Sequence, residues 1–175
     1  GPFVSSEYQD VVAGAKFLQG TAGVDPQRIC SGGGAYGGLL TALALGRNSD
    51  IFKAGVDFHG VHDWSKQLAD GGVRAPLRYE QGDLAEAKAV AFKSSPVSDI
   101  ATWTSPVLLI QGDDDRNVNF SQTIDLARRL DAHHLYYEEL VVPNEIHGFL
   151  RHSSWDAADK ATAAGRVKPS QAAPH

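Results

Sequence analysis

The chain has 175 residues, 42% of them hydrophobic and 21% charged, enough to bury one substantial core and expected to form a single soluble globular domain. A formal net charge of −5 with no run of Lys and Arg argues against a nucleic-acid partner and favours neutral or small polar substrates. The single cysteine, Cys30, excludes an internal disulfide; no apolar run is long enough to cross a bilayer, so no membrane partner is expected, and no signal peptide opens the chain, which leaves the compartment open.

In chain order, Ser6 and Gln9 have the spacing of a capping box ahead of Val11, Val12, Ala15 and Leu18, which predicts a helix from about Glu7 to Gln19. Gly20 and Gly23 stop it, and Val24 to Arg28 turns the chain into a very short buried strand around Ile29. A glycine corner follows, then a helix from Tyr36 to about Leu45 with Gly46 as its C-terminal cap. Phe52 to Phe58 reads as a second strand. Val61 to Glu80, with Trp64, Gly71, Gly72 and Pro76, loses periodicity and reads as an excursion over the active face. Asp83 to Phe92 is helical and Pro96 closes it. Pro106 to Ile110 is continuously apolar, as a strand buried on both faces must be. Phe120 to Leu130 is a helix, Glu139 to Val142 a strand, and Ser154 to Ala164 a last helix. Strands alternating with helices of this length predict an α/β fold with a mostly parallel sheet flanked by helices, over residues 1–164, and a disordered tail over 165–175.

The corner Gly32-Gly33-Gly34-Ala35-Tyr36-Gly37-Gly38 has the form of the nucleophile elbow G-x-S-x-G of the α/β-hydrolases, with Ala35 where that motif carries serine. In parallel sheets, sites form at the carboxyl ends of the strands. Three such ends hold Ala35, Asp115 and His147, the α/β-hydrolase chain order of nucleophile, acid and histidine. Taken alone, a glycine corner is often structural, Asp115 is one of three consecutive acids, and His147 is one of seven histidines. The order and setting of the three together carry the reading.

Four motifs, Val24-Asp25-Pro26-x-Arg28-Ile29, Gly33-Gly34-Ala35-Tyr36-Gly37-Gly38, Val107-Leu108-Leu109-Ile110-x-Gly112-x-x-Asp115-x-Asn117-Val118 and Pro143-x-Glu145-Ile146-His147-Gly148-Phe149, resemble the catalytic domain of the prolyl oligopeptidase family of serine peptidases. The resemblance spans about Glu7 to Ala164 and is greatest to the dipeptidyl-peptidase and acylaminoacyl-peptidase branches, in which an α/β-hydrolase domain typically follows a β-propeller. It implies hydrolysis of short peptides without a cofactor or metal. It assigns the nucleophile position to Ala35, the acid to Asp115, the general base to His147, an oxyanion-hole N–H to Tyr36, and a place near the substrate carbonyl to Asn117.

The chain departs from that pattern at Ala35, before the first helix, at Cys30 and Ser31, and over Gly165 to His175, where a Pro, Ser, Ala and Lys mixture replaces the aromatic end of the family's last helix. Ala35 has no hydroxyl, and loss of a triad nucleophile costs about 10⁶ in turnover, so the chain is expected to be inactive, as an engineered Ser→Ala change or a natural pseudoenzyme. Family members have more strands before the first helix, so a fragment is expected, completed by a missing N-terminal part of the same protein or by a partner chain. Cys30 and Ser31 stand where relatives have glycine and an apolar residue; both are expected to point into the sheet and not to replace the nucleophile. Two other readings stand beside the peptidase. Gly32-x-Gly34-x-x-Gly37 with Asp57 formally matches a dinucleotide-binding fingerprint, and a non-catalytic interaction module of hydrolase fold is the third. His59 and His62 lie near Asp57 and Asp63, but their spacing fits no common zinc pattern. Trp64, Trp103 and Trp155 are expected to pack in the core or against another domain.

Overall fold

The computed structural model describes residues 4–69, 81–165 and 167–174 of the chain. Four strands, β1 (Cys30–Gly34), β2 (Ala54–Phe58), β3 (Val107–Gly112) and β4 (Tyr137–Val142), form one parallel sheet in the order β1-β2-β3-β4. Between and around them run α1 (Ser5–Gln19), α2 (Tyr36–Arg47), α3 (Trp64–Ala69), α4 (Gln81–Lys93), α5 (Ser121–Ala132) and α6 (His152–Ala163). The fold is α/β, a parallel sheet flanked by helices.

The central strand shows why the sheet is covered on both sides. Side chains of β3 alternate, and all six of its residues are buried. Val107 and Leu109 enter a core with Leu39, Leu43 and Leu45 of α2 and Leu126 and Leu130 of α5. Leu108 and Ile110 enter a second core with Ala158 and Ala161 of α6. The register Asp57↔Leu109 and Leu109↔Glu139 ties β3 to both neighbours. In α5 the buried residues Gln122, Thr123, Leu126, Ala127 and Leu130 recur at helical spacing and give it one inward stripe. Leu109 is 1% exposed, and Leu109→Ala is expected to cost ~2–5 kcal/mol, read as a lower denaturant midpoint at unchanged m-value. A loss below ~1 kcal/mol would mean that the cavity closes or that β3 is not held on both faces.

Several boundaries differ from the expected ones, each for a local reason. No side chain caps α1; Ser6 Oγ donates instead to Glu7 Oε2 at 2.8 Å, and the helix starts two residues early. β1 is not centred on Ile29. It begins at Cys30 and stands at the edge of the sheet, with Cys30, Gly32 and Gly34 exposed. Cys30 therefore does not point into the sheet, whereas Ser31, half-buried, shares a 3.1 Å hydrogen bond with Thr41 of α2. Gly46 does not cap α2 but lies buried inside it; a Cβ there would stand 3.0 Å from Asp99 and 3.3 Å from Trp103, so the missing side chain lets α2 approach the 3₁₀ turn Pro96–Thr102. Pro96 opens that turn rather than only ending α4.

Within the irregular stretch, α3 forms over Trp64–Ala69, while Gly71, Gly72 and Pro76 lie outside the described residues. Trp103 is 2% exposed in the core and Trp64 packs against it half-buried. In the described part of the tail Val167 is buried, and the Ala173 N–H donates to the Thr104 carbonyl at 2.8 Å. Among the described residues no helix is long and apolar enough to cross a membrane.

Candidate active site

All four strands run the same way, so their carboxyl ends and the loops that leave them meet at one end of the sheet. β1 ends in the glycine corner, and Ala35 sits at its apex with φ 53° and ψ −111° before α2 begins at Tyr36. A non-glycine residue in this conformation is strained by about 1–3 kcal/mol and must be held by its surroundings. Its N–H donates to the Phe58 carbonyl at 2.9 Å and to His59 Nδ1 at 3.1 Å. The corner can close because Gly33 has no side chain: a Cβ there would stand 2.7 Å from the carbonyl carbon of Gly37. Tyr36, 43% exposed, is the first residue of α2, where a backbone N–H has no acceptor within its own helix.

The structure sets one carboxylate apart from the run of three. Asp113 Oδ1 accepts the Asn144 N–H, and Asp114 pairs with Arg116 at the surface. Only Asp115 turns inward, with its side chain fully buried. Its Oδ1 accepts the N–H groups of Asn117 at 3.0 Å and Val118 at 2.9 Å; its Oδ2 accepts Gln111 Nε2 at 3.0 Å and His147 Nδ1 at 2.8 Å. Four donors fix this carboxylate. Asn117, exposed, is held through its backbone, its carbonyl accepting Gln67 Nε2 at 2.9 Å.

His147 leaves the loop after β4, and its side chain keeps 22% exposure. The bond to Asp115 occupies Nδ1 as a donor and leaves Nε2 as the free ring nitrogen. The loop is docked by close backbone approach: a Cβ on Gly112 would stand 2.2 Å from the Glu145 carbonyl oxygen. It is further held by the Glu145 carboxylate, which accepts the Ser154 hydroxyl at 2.6 Å, the Leu150 and Arg151 N–H groups at 2.9 and 3.1 Å, and Arg151 Nε at 2.9 Å. The Ser154 hydroxyl and the Leu150 N–H lead in holding its pKa down from 4.5 to about 2.

A carboxyl with a depressed folded pKa adds stability above its unfolded value and gives it up as pH falls toward the folded one. Melting temperature is therefore expected to drop as pH is lowered from 4.5 towards 2. Glu145→Gln should start lower at neutral pH and fall less across that window. Parallel melting curves for the two proteins would contradict the assignment.

Two residues of the site carried no signal of their role in the sequence. His59, one residue past β2 and with φ 42°, lies between the corner and His147: its Nδ1 accepts the Ala35 N–H and its ring centroid is 4.2 Å from that of His147. His62 is buried and pairs with Asp57, Nε2 to Oδ2 at 2.7 Å, while its Nδ1 faces the Gln122 carbonyl at 3.1 Å. Burial opposes its protonation, but the Asp57 charge and hydrogen bond raise its pKa above the ordinary value. Asp57 is 1% exposed and its Oδ1 accepts the Gly60 N–H at 3.0 Å. The dinucleotide reading fails here: the acid that would bind a ribose is sealed against His62, and the corner's apical N–H is already taken.

Beside the corner, a cleft of about 560 Å³ runs along β1 to His59 and Trp155. Trp155 is stacked with Phe58 and tilted on Phe149, its indole N–H donating to the Phe149 carbonyl at 2.8 Å.

Known proteins share this arrangement of chain. The sequence is 28% identical to dipeptidyl peptidase 4 of Felis catus over 147 residues, 81% of this chain and 18% of that protein. It is 29% identical to the acylamino-acid-releasing enzyme of Arabidopsis thaliana over 135 residues, 70% of this chain and 17% of that protein. Among solved structures, a puromycin-hydrolyzing peptidase of Mycobacterium tuberculosis superposes with a TM-score of 0.78 at 26% identity, covering 92% of this chain and 25% of the other. The chain thus spans less than a fifth of the length of these curated relatives. Residues 5–163, from the first residue of α1 to the last of α6, match the Prolyl oligopeptidase family, and the chain belongs to that family.

Proposed function

We propose that this chain is the C-terminal part of the catalytic domain of a serine-type peptidase, with Ala35 at the nucleophile position, Asp115 as the acid and His147 as the general base. The observation that carries the reading is the Asp115–His147 couple, 2.8 Å from Oδ2 to Nδ1, at the ends of adjacent strands beside the strained corner. The puromycin-hydrolyzing activity named for one structural neighbour is consistent with amide-bond hydrolysis.

With a serine at position 35, His147 Nε2 would take the hydroxyl proton as the oxygen attacks a peptide carbonyl. The Tyr36 N–H would bind the developing oxyanion, and His147 would return the proton to the departing amine. Water would then release the acyl group by the same route in reverse. Asp115 keeps Nε2 free and stabilises the imidazolium. Asn117 would lie near the substrate carbonyl. As the chain stands, Ala35 allows no acyl-enzyme, and covalent turnover is absent. No cofactor or metal enters this scheme.

Peptide substrate would reach the site in the company of the missing N-terminal part of the same protein, which would supply the remaining strands beside β1 and a β-propeller, or of a partner chain. The exposed edge of β1 supports that expectation. The test is Ala35→Ser in the full-length protein, followed by labelling with a fluorophosphonate probe. Absence of labelling in the folded revertant would leave the non-catalytic interaction module as the better account.

A further inference from the structure

The side chain of His59 touches two of the three stations of the site and is used by neither step above. Its Nδ1 accepts the Ala35 N–H at 3.1 Å, and its ring lies 4.2 Å from the His147 ring at 50° between planes. The contact with the corner is close: a Cβ on Gly34 would stand 3.2 Å from His59 Cε1. The ring is also edge-on to Phe149 at 6.2 Å and to Phe58 at 6.4 Å, and the His59 N–H donates to the Ile110 carbonyl at 2.7 Å. His59 is 8% exposed. Its own left-handed backbone and that of Ala35 are thus joined through one hydrogen bond.

We propose that His59 is a positioning residue of the hydrolytic site: its neutral imidazole holds the residue-35 amide through Nδ1 and packs against the His147 ring, so that one side chain sets both the nucleophile corner and the base. The proposal rests on the peptidase reading for its catalytic meaning, but the clamp itself is a statement about two contacts and is testable without turnover.

The clamp requires a neutral ring. An Nδ1 that accepts a backbone N–H cannot itself carry a proton, so the proton sits on Nε2. The surroundings favour that state: burial first, and then the neighbouring His147, hold the His59 pKa below the ordinary imidazole value. Asp115 and Asp57 push the other way. Asp57 is already paired with His62, and Asp115 accepts four hydrogen bonds. A proton on His59 would break the bond to the corner and put a second cation against the imidazolium that His147 becomes during acyl transfer.

Two substitutions separate the two contacts. His59→Asn keeps an oxygen acceptor close to the place of Nδ1 and removes the ring; His59→Phe keeps a ring and removes the acceptor. In the chain as it stands, the residue-35 amide resonance is expected to shift in His59→Phe and to stay near its original position in His59→Asn. The His147 ring resonances are expected to move in His59→Asn. In the unsubstituted protein, nitrogen spectra should show His59 Nδ1 unprotonated and Nε2 protonated at neutral pH, a reading that does not depend on either variant folding. In the Ala35→Ser protein each variant is expected to lower kcat up to about 10²-fold with little change in KM, as small misplacement of reacting groups does. A protonated Nδ1 at neutral pH, or an unmoved residue-35 amide in a folded His59→Phe protein, would overturn the clamp. Failure of Ala35→Ser to turn over substrate would count against the peptidase reading and leave the spectroscopic results to decide the clamp.

Discussion

Ala35→Ser is expected to give a protein labelled by a fluorophosphonate and active on small peptide or ester substrates, a gain of about 10⁶ in turnover. The magnitude follows from what is missing and what is kept. Alanine and serine share a Cβ, so serine can take the backbone of φ 53° and ψ −111° that Ala35 already occupies. The substitution adds one oxygen at the apex and disturbs neither the bond to Phe58 nor that to His59. Asp115 and His147 are hydrogen-bonded through Nδ1, which leaves Nε2 for the base role in the proposed scheme. The oxygen is thus the single absent group of the proposed scheme. The measurement is made in the full-length protein, because β1 stands at an open edge and the strands beside it belong to the rest of that chain in the proposed arrangement. A folded, full-length revertant that takes no label would show that the corner, acid and histidine do not act together.

What the sequence reveals of this fold depends on whether a residue's neighbours are close in the chain. β3 is legible because most of a run buried on both faces is apolar; the run Pro106 to Ile110 marks it, and the strand forms over Val107–Gly112, past the apolar run into the buried polar Gln111. α5 is legible because its inward stripe recurs at helical spacing. The loops of Asp115 and His147 are legible because strand ends in a parallel sheet share one side, and there the two side chains meet at 2.8 Å. The end of α2 is not legible: Gly46 has the local character of a cap, and its actual role depends on Asp99 and Trp103, more than fifty residues away. The start of β1 is similarly obscured, since its glycines carry no strand propensity and pair with β2 only through the backbone. His59 is hidden for the same reason. Nothing local distinguishes it from His62, yet one clamps the corner while the other is buried against Asp57. Glu145 is visible as part of a motif, but its four donors lie five to nine residues ahead and become neighbours only when the loop folds back onto α6.

Asp115→Asn, made in the Ala35→Ser protein, is expected to remove most of the activity so gained, about 10⁴-fold in kcat. The carboxylate now accepts from four donors: two backbone N–H groups on Oδ1, and Gln111 Nε2 and His147 Nδ1 on Oδ2. An amide has only one oxygen to offer. If that oxygen stays with Asn117 and Val118, the NH₂ group faces Gln111 and His147. His147 can then meet it only by accepting through Nδ1, which moves the ring proton to Nε2 and removes the base. If the amide flips, the NH₂ group faces two backbone donors that have no other acceptor, at a cost of about 1–3 kcal/mol for each buried group left unsatisfied. The first arrangement keeps the loop and loses catalysis; the second keeps the tautomer and loosens the loop. Gln111 stays held, its Nε2 donating to the Val118 carbonyl at 2.8 Å and its Oε1 accepting the Thr123 hydroxyl at 2.6 Å, so the first arrangement costs it one bond while the second leaves two turn-fixed backbone amides without theirs, and the first is the expected one. It predicts near-native thermal stability, a folded protein and a fall in kcat at little change in KM. A large drop in melting temperature with activity retained would instead identify Asp115 as a loop anchor and place the acid elsewhere.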